Sequence, residues 1–167
     1  MSKVYYPLLH IEEVIPILNK IAIFGGFNEK QLYEIFKLLK TVHYDEGETI
    51  YQHGEPPSHI YIIRQGEVKI IFDSDEGSLE IITFGVGDCF GETSVIGIQP
   101  HFTTALAVVP VELIVLERSV LLNIYETDKE LFGMLILNIA REMARRLHKS
   151  DKALVDYTLK KKISKNL

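Results

Sequence analysis

The sequence predicts a mainly β domain flanked by helices, and three observations support this fold class. Between residues 41 and 120, short β-branched and aromatic runs alternate with glycine-containing turns, as in a sandwich or barrel. Segments with apolar residues at helical spacing come before this region, and a longer helical pattern follows it. The length of 167 residues fits one domain with helical attachments, divided as 1–40, 41–121 and 122–167.

The composition, with 47% hydrophobic and 25% charged residues, is ordinary for a globular protein. Cys89 is the single cysteine, so no internal disulfide forms, and we expect it to be a small buried apolar residue. No apolar run reaches the roughly 20 residues that span a bilayer, and the N-terminus lacks a signal-peptide pattern. These features predict a cytoplasmic protein that does not enter a membrane.

Charge is unevenly distributed along the chain. The net charge of −5 argues against nucleic-acid binding by the whole protein. Nine of the 18 Lys and Arg residues nevertheless lie in residues 141–167, where only three acidic residues occur. The tail formed by Lys160, Lys161, Lys162 and Lys165 is a candidate contact for nucleic acid or an acidic partner. A basic run of this kind is more often a solvated helix end.

Two helical patterns precede the β region. Apolar residues from Ile11 to Ile21 recur at spacings of three and four, although Pro16 lies inside the pattern and can break it into two short turns. Asn28 and Gln31 form a capping-box pattern at the start of a second helix. That helix is expected to extend to about Lys40 and to bury Leu32, Ile35, Phe36 and Leu39.

Seven strands are predicted between these helices and the C-terminal helical pattern. Turns are expected at Pro56–Pro57 and at Asp73–Ser78, because these segments concentrate proline, glycine, aspartate and serine. The predicted strands are Val42–Tyr44, Thr49–Tyr51, His59–Gln65, Glu67–Phe72, Leu79–Phe84, Thr103–Val109 and Val111–Glu117.

A long C-terminal helix is predicted from Asp128 to about Lys162, opened by a capping box over Thr127–Glu130. Apolar and small residues recur along it at alternating spacings of four and three, as in a coiled-coil seam. The pattern predicts a homodimer paired along this helix, and the alternative is a helix folded back on its own β region. The seam consists of Ile136, Ala140, Met143, Leu147, Ser150, Leu154 and Tyr157.

The segment Gly85–Ala107 contains the candidate binding chemistry. Glycine lets backbone approach a ligand closely, and free N–H groups at the start of a helical turn attract an anion. Glu92 lies at the start of this turn, where its charge would repel phosphate but its oxygens suit sugar hydroxyls. The alternative role of Glu92 is an acid that the helix dipole favours. The segment therefore predicts a pocket for a sugar hydroxyl and an adjacent anion.

The same segment resembles the phosphate-binding cassette of cyclic nucleotide-binding domains. Phe90-Gly91-Glu92, followed by Pro100, Thr104 and Ala107, corresponds to the family's Phe-Gly-Glu, short helix and Pro-Arg-Ala-Ala-Thr-Val. The resemblance covers roughly residues 15–150. It implies a double-stranded β-helix, or jelly-roll β-roll, with N-terminal helices and a long C-terminal helix. Three further stretches carry it: Gly47–Ile50, Ile60–Val68 and Leu116–Arg118.

The resemblance also implies roles for individual residues. In the family, the Glu that matches Glu92 holds the ribose 2′-hydroxyl, and an Arg pairs with the cyclic phosphate. Here His101 occupies the position of that Arg, and Phe102 is larger than the family's small residue, so it can fill the pocket and exclude nucleotide. His101 is interpreted either as a partial replacement for the cation or as an exposed loop histidine. The candidate ligand-binding residues are Phe90, Gly91, Glu92, Thr93, Ser94, His101, Phe102, Thr103 and Thr104.

The resemblance implies a regulatory, non-catalytic domain. Its ligand would be cyclic AMP, cyclic GMP or a related small anion, and ligand binding would signal through the C-terminal helix to an output protein. A degenerate domain that binds no nucleotide and acts as a dimerisation or interaction module is the alternative. The sequence ends where the family's transcription factors continue into a helix-turn-helix domain, so direct DNA binding is not expected. The sequence contains no His-x-His metal motif and no nucleophile motif, so an enzyme is not expected.

Overall fold

The computed structural model describes residues 3–75 and 77–165 of the chain. Within these residues, no helix combines the length and apolar character needed to cross a membrane. In chain order the elements are β1 (Tyr6–Pro7), α1 (Ile11–Leu18), a 3₁₀ turn (Ala22–Phe24), α2 (Glu29–Phe36), β2 (Lys40–Tyr44), β3 (Thr49–Tyr51), β4 (His59–Gln65), β5 (Val68–Ser74), β6 (Gly77–Phe84), β7 (Cys89–Phe90), α3 (Glu92–Gly97), β8 (Thr104–Ala107), β9 (Val111–Glu117), α4 (Arg118–Thr127) and α5 (Lys129–Lys165).

The strands form two antiparallel sheets, which confirms the predicted mainly β fold with flanking helices. The first sheet has the order β1-β2-β9-β4-β7, and the second has the order β3-β8-β5-β6. The ranges predicted for β3, β4 and β9 coincide with the observed strands. The two-residue strands β1 and β7 were not predicted, because two residues are too short to show a periodic pattern.

The first sheet is the middle layer of the molecule. Tyr61 and Ile63 of β4 face the core between the two sheets, whereas Ile60 and Ile62 face the helices. Successive side chains of a strand point to opposite faces, so a strand in the middle layer must be apolar on both. The continuous apolar run of β4 follows from this position.

The N-terminal helices pack on the outer face of the first sheet. The predicted capping box is present, since Asn28 and Gln31 exchange side-chain and backbone hydrogen bonds at the start of α2. The helix ends at Phe36 rather than Lys40, because Lys40 already pairs with Val115 in the first sheet. Pro16 lies within α1, which continues to Leu18 as one short helix.

The cap of α5 and the β5–β6 turn also differ from the sequence prediction. The capping box predicted over Thr127–Glu130 is wrong, because Thr127 ends α4 and its hydroxyl donates to the carbonyl of Asn123. Asp128 caps α5 instead by accepting a hydrogen bond from the backbone N–H of Leu131 at 2.9 Å. The turn predicted over Asp73–Ser78 is shorter than expected, since Ser74 pairs with Gly77 at the end of the β5–β6 hairpin.

Gly66 offers a test of the β4–β5 turn. Its φ is +90°, and a Cβ there would lie 2.6 Å from both the carbonyl oxygen of Pro110 and Cγ1 of Val111. Gly54 has a similar φ of +86°, but a Cβ there would meet nothing within 4 Å. We expect Gly54→Ala to cost about 1–2 kcal/mol from backbone strain alone. Gly66→Ala is expected to cost about 1–3 kcal/mol more because of overpacking.

Urea unfolding of the two glycine variants and the wild type measures this difference. Equal losses of unfolding free energy in the two variants would show that the chain relaxes around the added methyl group, contrary to the close packing described here.

Candidate functional site

Gly91 positions the start of α3 against the first sheet. Its φ is +82°, and a Cβ on it would lie 2.9 Å from the carbonyl oxygen of His59 and 3.2 Å from the ring of Tyr61. Phe90, just before it, stacks on Tyr61 with ring centroids 5.1 Å apart. The backbone thus passes too close to β4 for any side chain, and the next residue, Glu92, is directed inwards at the first position of the helix.

Glu92 is a buried carboxylate, with 1% of the residue exposed. Its Oε1 accepts a 2.7 Å hydrogen bond from Nη1 of Arg146, which lies on α5. Burial raises the pKa of Glu92 above its usual value, and the positive charge of Arg146 opposes that shift only in part. The ion pair therefore joins the cassette to the C-terminal helix across 54 residues of sequence.

Arg146 has three further partners. Its Nη2 donates to the carbonyl oxygen of Cys89, and its guanidinium lies 4.5 Å from the ring centroid of Phe84. Its Nε lies 3.5 Å from a carboxylate oxygen of Glu142, one helical turn earlier. Because β7, the end of β6 and α3 all contact one planar guanidinium, Arg146 is the main polar link between α5 and the β-roll at this point.

The second oxygen of Glu92 lacks a hydrogen-bond partner among the described residues. Oε2 is buried, and none of the residues in 3–75 and 77–165 donates a hydrogen bond to it. A buried carboxylate oxygen without a donor carries a desolvation cost, so the site favours a group that brings a hydroxyl or N–H to this position.

A cavity of about 460 Å³ lies beside Glu92, between the second sheet and α5. Its walls are mostly apolar, and polar groups are concentrated at the α3 end and at Arg146 and Ser150 of α5. Such walls suit a ligand that has a flat apolar ring and polar groups along one side. The lining residues are Tyr51, Ile70, Ile82, Phe84, Phe90, Gly91, Glu92, Thr93, Thr103, Met143, Ala144, Arg146, Leu147 and Ser150.

The structure brings some of the predicted site residues to this cavity and separates others from it. Phe90, Gly91, Glu92, Thr93 and Thr103 line it. The remaining four lie outside it and, apart from Thr104, line a second cavity, which shares Tyr51, Thr93 and Thr103 with the first; they are Ser94, His101, Phe102 and Thr104.

His101 is not an exposed loop histidine. It is 3% exposed, and its ring stacks on Tyr51 with centroids 3.7 Å apart and planes 9° apart. Its backbone N–H donates to the carbonyl of Glu55, and its carbonyl accepts from Gly54. Burial lowers the pKa of the imidazole below its usual value, so His101 is neutral at pH 7.

Phe102 and Thr104 have structural environments. Phe102 is 69% exposed and stacks on Phe72 with centroids 5.0 Å apart, so it does not fill the cavity beside Glu92. The hydroxyl of the buried Thr104 accepts a hydrogen bond from the backbone N–H of His53 at 3.2 Å. The side chain that the sequence suggested as an obstacle to ligand therefore lies on the surface.

The two halves of α5 differ in their contacts. Leu131, Leu135 and Ile139 are buried in the core, and the side-chain amide of Asn138 donates to the carbonyls of Ile23 and Gly25. Beyond Arg146 the helix extends from the body of the protein, and Leu147 is 63% exposed. Of the predicted dimer seam, Ile136 and Met143 pack partly on the chain's own core, whereas Ala140, Leu147, Ser150, Leu154 and Tyr157 are exposed.

Arg146 was not among the residues predicted from the sequence. Read along the helix, it is an ordinary surface residue four positions after Glu142, and the sequence contains no sign of its partner Glu92. The one available signal is that Met143 and Leu147 flank it on the apolar face. Among the described residues, no group of His, Cys, Asp and Glu is arranged to hold a metal ion.

Comparison with known proteins identifies the domain type. The family model described as "Cyclic nucleotide-binding domain" matches residues 41–128. A CRP-like cAMP-activated global transcriptional regulator from Mycobacterium tuberculosis is 30% identical over 141 residues, covering 84% of this chain and 61% of the regulator. A cGMP-dependent protein kinase from Plasmodium berghei is 34% identical over 111 residues, covering 66% of this chain and 12% of the kinase.

A solved structure supports the fold over most of the chain. A cyclic nucleotide-binding domain from Methylobacillus flagellatus superposes with a TM-score of 0.80 at 22% identity, covering 92% of this chain and 87% of that one. This likeness confirms the β-roll with flanking helices. The chain spans 61% of the regulator and 12% of the kinase, so the activities of those whole proteins involve further segments.

Proposed function

The chain belongs to the cyclic nucleotide-binding domain family, and we propose that it is a non-catalytic regulatory domain that binds a cyclic nucleotide or a related small ligand. The ligand would occupy the cavity between the second sheet and α5, with its ribose at Glu92. Its binding would be signalled by α5. The curated relatives support a regulatory role, since one is described as a cAMP-activated regulator and another as a cGMP-dependent kinase.

One observation carries this proposal: the two oxygens of Glu92 are in different situations. Oε1 is held by Arg146 of α5, and Oε2 is buried without a partner. Because Oε2 is closed off from solvent, the Glu92 side chain would turn towards the cavity for a ribose 2′-hydroxyl to donate to this oxygen. The ligand and α5 would then share one carboxylate.

Sharing the carboxylate gives a physical route from ligand to helix. A donor at Oε2 favours the ionised form of Glu92, and an ionised Glu92 binds Arg146 more strongly than a protonated one. Ligand binding would therefore tighten the contact between α5 and the roll. A ligand shifts an equilibrium only by its differential affinity for the two states, and here the two states would differ in whether the Glu92–Arg146 contact is made.

The test is a calorimetric titration of the full chain with cyclic AMP, cyclic GMP and adenosine, each compared with its 2′-deoxy form. We expect at least one ribo ligand to bind, and its 2′-deoxy form to bind about tenfold to a hundredfold more weakly, as for loss of a hydrogen bond to a charged group. Equal affinities for the ribo and deoxy forms, or no binding at millimolar ligand, would contradict the proposal.

A homodimer along α5 is proposed as the form in which the signal is read. The exposed apolar residues of its distal half, Leu147, Leu154 and Tyr157, support an interface there. Sedimentation equilibrium of the wild type and of a Leu154→Glu, Tyr157→Glu variant, whose changes lie outside the ligand cavity, tests it. A dimer that the double substitution leaves intact would place the interface elsewhere. The same face would serve an output protein if the wild type is monomeric.

The second candidate function is a module that binds no nucleotide. The burial of His101, which leaves the position of the family's Arg without a cation, favours this candidate. The unpartnered oxygen of Glu92 favours the first candidate, a ligand-binding domain. A buried acceptor without a donor is unfavourable, and a ligand would supply the donor.

A further inference from the structure

We infer that the pocket beside Glu92 selects an uncharged ribonucleoside over the corresponding cyclic monophosphate. This inference rests on the proposed function, since it assumes that a ribose occupies the site at Glu92. It concerns which chemical class of ribose-bearing ligand the walls of the cavity accept.

The first step is the charge balance of the cavity. Among the described residues that line it, the only charged side chains are Glu92 and Arg146, and each neutralises the other at 2.7 Å. Arg146 also donates to the carbonyl of Cys89, so its donors are already directed at protein acceptors. A cyclic phosphate would bring one negative charge into a site whose own charges already sum to zero.

The second step concerns the corner where a phosphate would lie beside the cassette. His101, at the position that the sequence suggests for a cation, is buried face to face with Tyr51 and lines a different cavity. The groups that do line this end are the hydroxyls of Thr93 and Thr103 and the backbone of Gly91 and Glu92 at the start of α3, none of which carries a full positive charge. Hydroxyls pair well with the neutral 3′- and 5′-hydroxyls of a nucleoside, which both donate and accept, but they do not balance a buried charge.

The third step concerns the remaining walls. Ile70, Ile82, Phe84 and Leu147 offer apolar surface to a base, and Ser150 adds a hydroxyl on α5. The cavity of about 460 Å³ is within the usual range for small-molecule pockets. Apolar walls lower the local dielectric and so increase the penalty for an unpaired phosphate relative to a neutral ligand.

The experiment compares three ligands of the wild-type chain by calorimetry at one ionic strength: adenosine, cyclic AMP and the uncharged methyl ester of cyclic AMP. We expect adenosine to bind at least about tenfold more tightly than cyclic AMP, and the ester to bind more tightly than cyclic AMP. The ester keeps the phosphate ring and removes its charge, so it separates charge from size. An ester no tighter than cyclic AMP would overturn the inference.

A pair of variants tests the same point from the protein side. Thr93→Lys adds a cation at an exposed residue that lines both cavities, and Gln99→Lys adds the same charge at a residue that lines the second cavity only. We expect Thr93→Lys to shift the preference towards cyclic AMP by about tenfold and Gln99→Lys to leave it near the wild-type ratio. Equal shifts in the two variants would mean that general charge, not the pocket, sets the preference.

The outcomes separate this inference from the function on which it rests. Cyclic AMP binding more tightly than adenosine, with that binding lost in Glu92→Gln, would overturn the inference and leave the proposed function standing. No binding of any of the three ligands at millimolar concentration would overturn both.

Discussion

Replacing Glu92 by Gln is expected to weaken ligand binding by about tenfold to a hundredfold, the effect of losing a hydrogen bond to a charged group. The amide keeps the size of the side chain but offers one acceptor oxygen instead of two. Arg146 and the ribose hydroxyl would compete for that oxygen, and the amide nitrogen would face one of them. Calorimetry with the tightest ligand of the wild type measures the change.

Glu142→Gln is the matched control for this substitution. Glu142 also lies beside Arg146, with an oxygen 3.5 Å from its Nε, but it does not line the ligand cavity. Its replacement is expected to change affinity by less than about threefold, as for a weak, partly exposed ion pair outside the cavity. An equal loss in the two variants would mean that charge near Arg146, rather than the Glu92 carboxylate, controls binding.

The second large effect is expected from Arg146→Ala. Removing one member of a buried ion pair leaves the other charge uncompensated, which typically costs about 3–5 kcal/mol. Arg146 keeps 22% of its side chain exposed, so we expect the lower end, about 3 kcal/mol of unfolding free energy at pH 7. Urea unfolding of the ligand-free protein measures this loss.

The loss in Arg146→Ala is expected to shrink as the pH falls. Burial already raises the pKa of Glu92, and loss of Arg146 removes the group that opposes this shift. A carboxyl group whose folded pKa is raised destabilises the protein increasingly as the pH rises from its unfolded pKa to its folded pKa, and this cost is absent at low pH, where the group is protonated in both states. The deficit at pH 5 should therefore be smaller than the deficit at pH 7, and an identical deficit at both would contradict the role given to Glu92.

Arg145→Ala provides the control for stability. Arg145 precedes Arg146 on the same helix, is more exposed, and pairs with Glu142 at the surface. Its replacement is expected to cost less than about 1 kcal/mol. A loss as large as that of Arg146→Ala would mean that helix propensity or overall charge, and not the ion pair with Glu92, causes the effect.

Much of the fold follows from local sequence patterns. β4 and β9 were predicted over their whole ranges, because strands in the middle layer are apolar on both faces and turns bound them. The capping box of α2 was predicted because its partners are three residues apart. The end of α2 was not, because it depends on the pairing of Lys40 with Val115 in the sheet. The cap of α5 was predicted one residue too early, because Thr127 and Asp128 are both favourable cap residues.

The candidate site could likewise be predicted from the sequence only in part. Glu92 stands out in the sequence because Gly91 and the start of a helical turn are adjacent to it. Arg146 is remote in sequence, and only the packing of α5 on the β-roll brings it to Glu92. The environment of His101 could not be predicted either, since its stacking on Tyr51 of β3 depends on the tertiary fold. A linear pattern indicates which residue types are present but not which of them meet in the fold.

The measurement that most directly tests the shared carboxylate is the pKa of Glu92 with and without ligand. Carbon-13 NMR of labelled glutamate carboxyl groups, assigned with Glu92→Gln, gives both values, using the tightest ligand among adenosine, cyclic AMP and cyclic GMP. A hydroxyl donated to Oε2 stabilises the ionised form, so we predict that saturation with this ligand lowers the pKa of Glu92. A pKa that ligand leaves unchanged or raises would show that the ribose does not donate to this carboxylate.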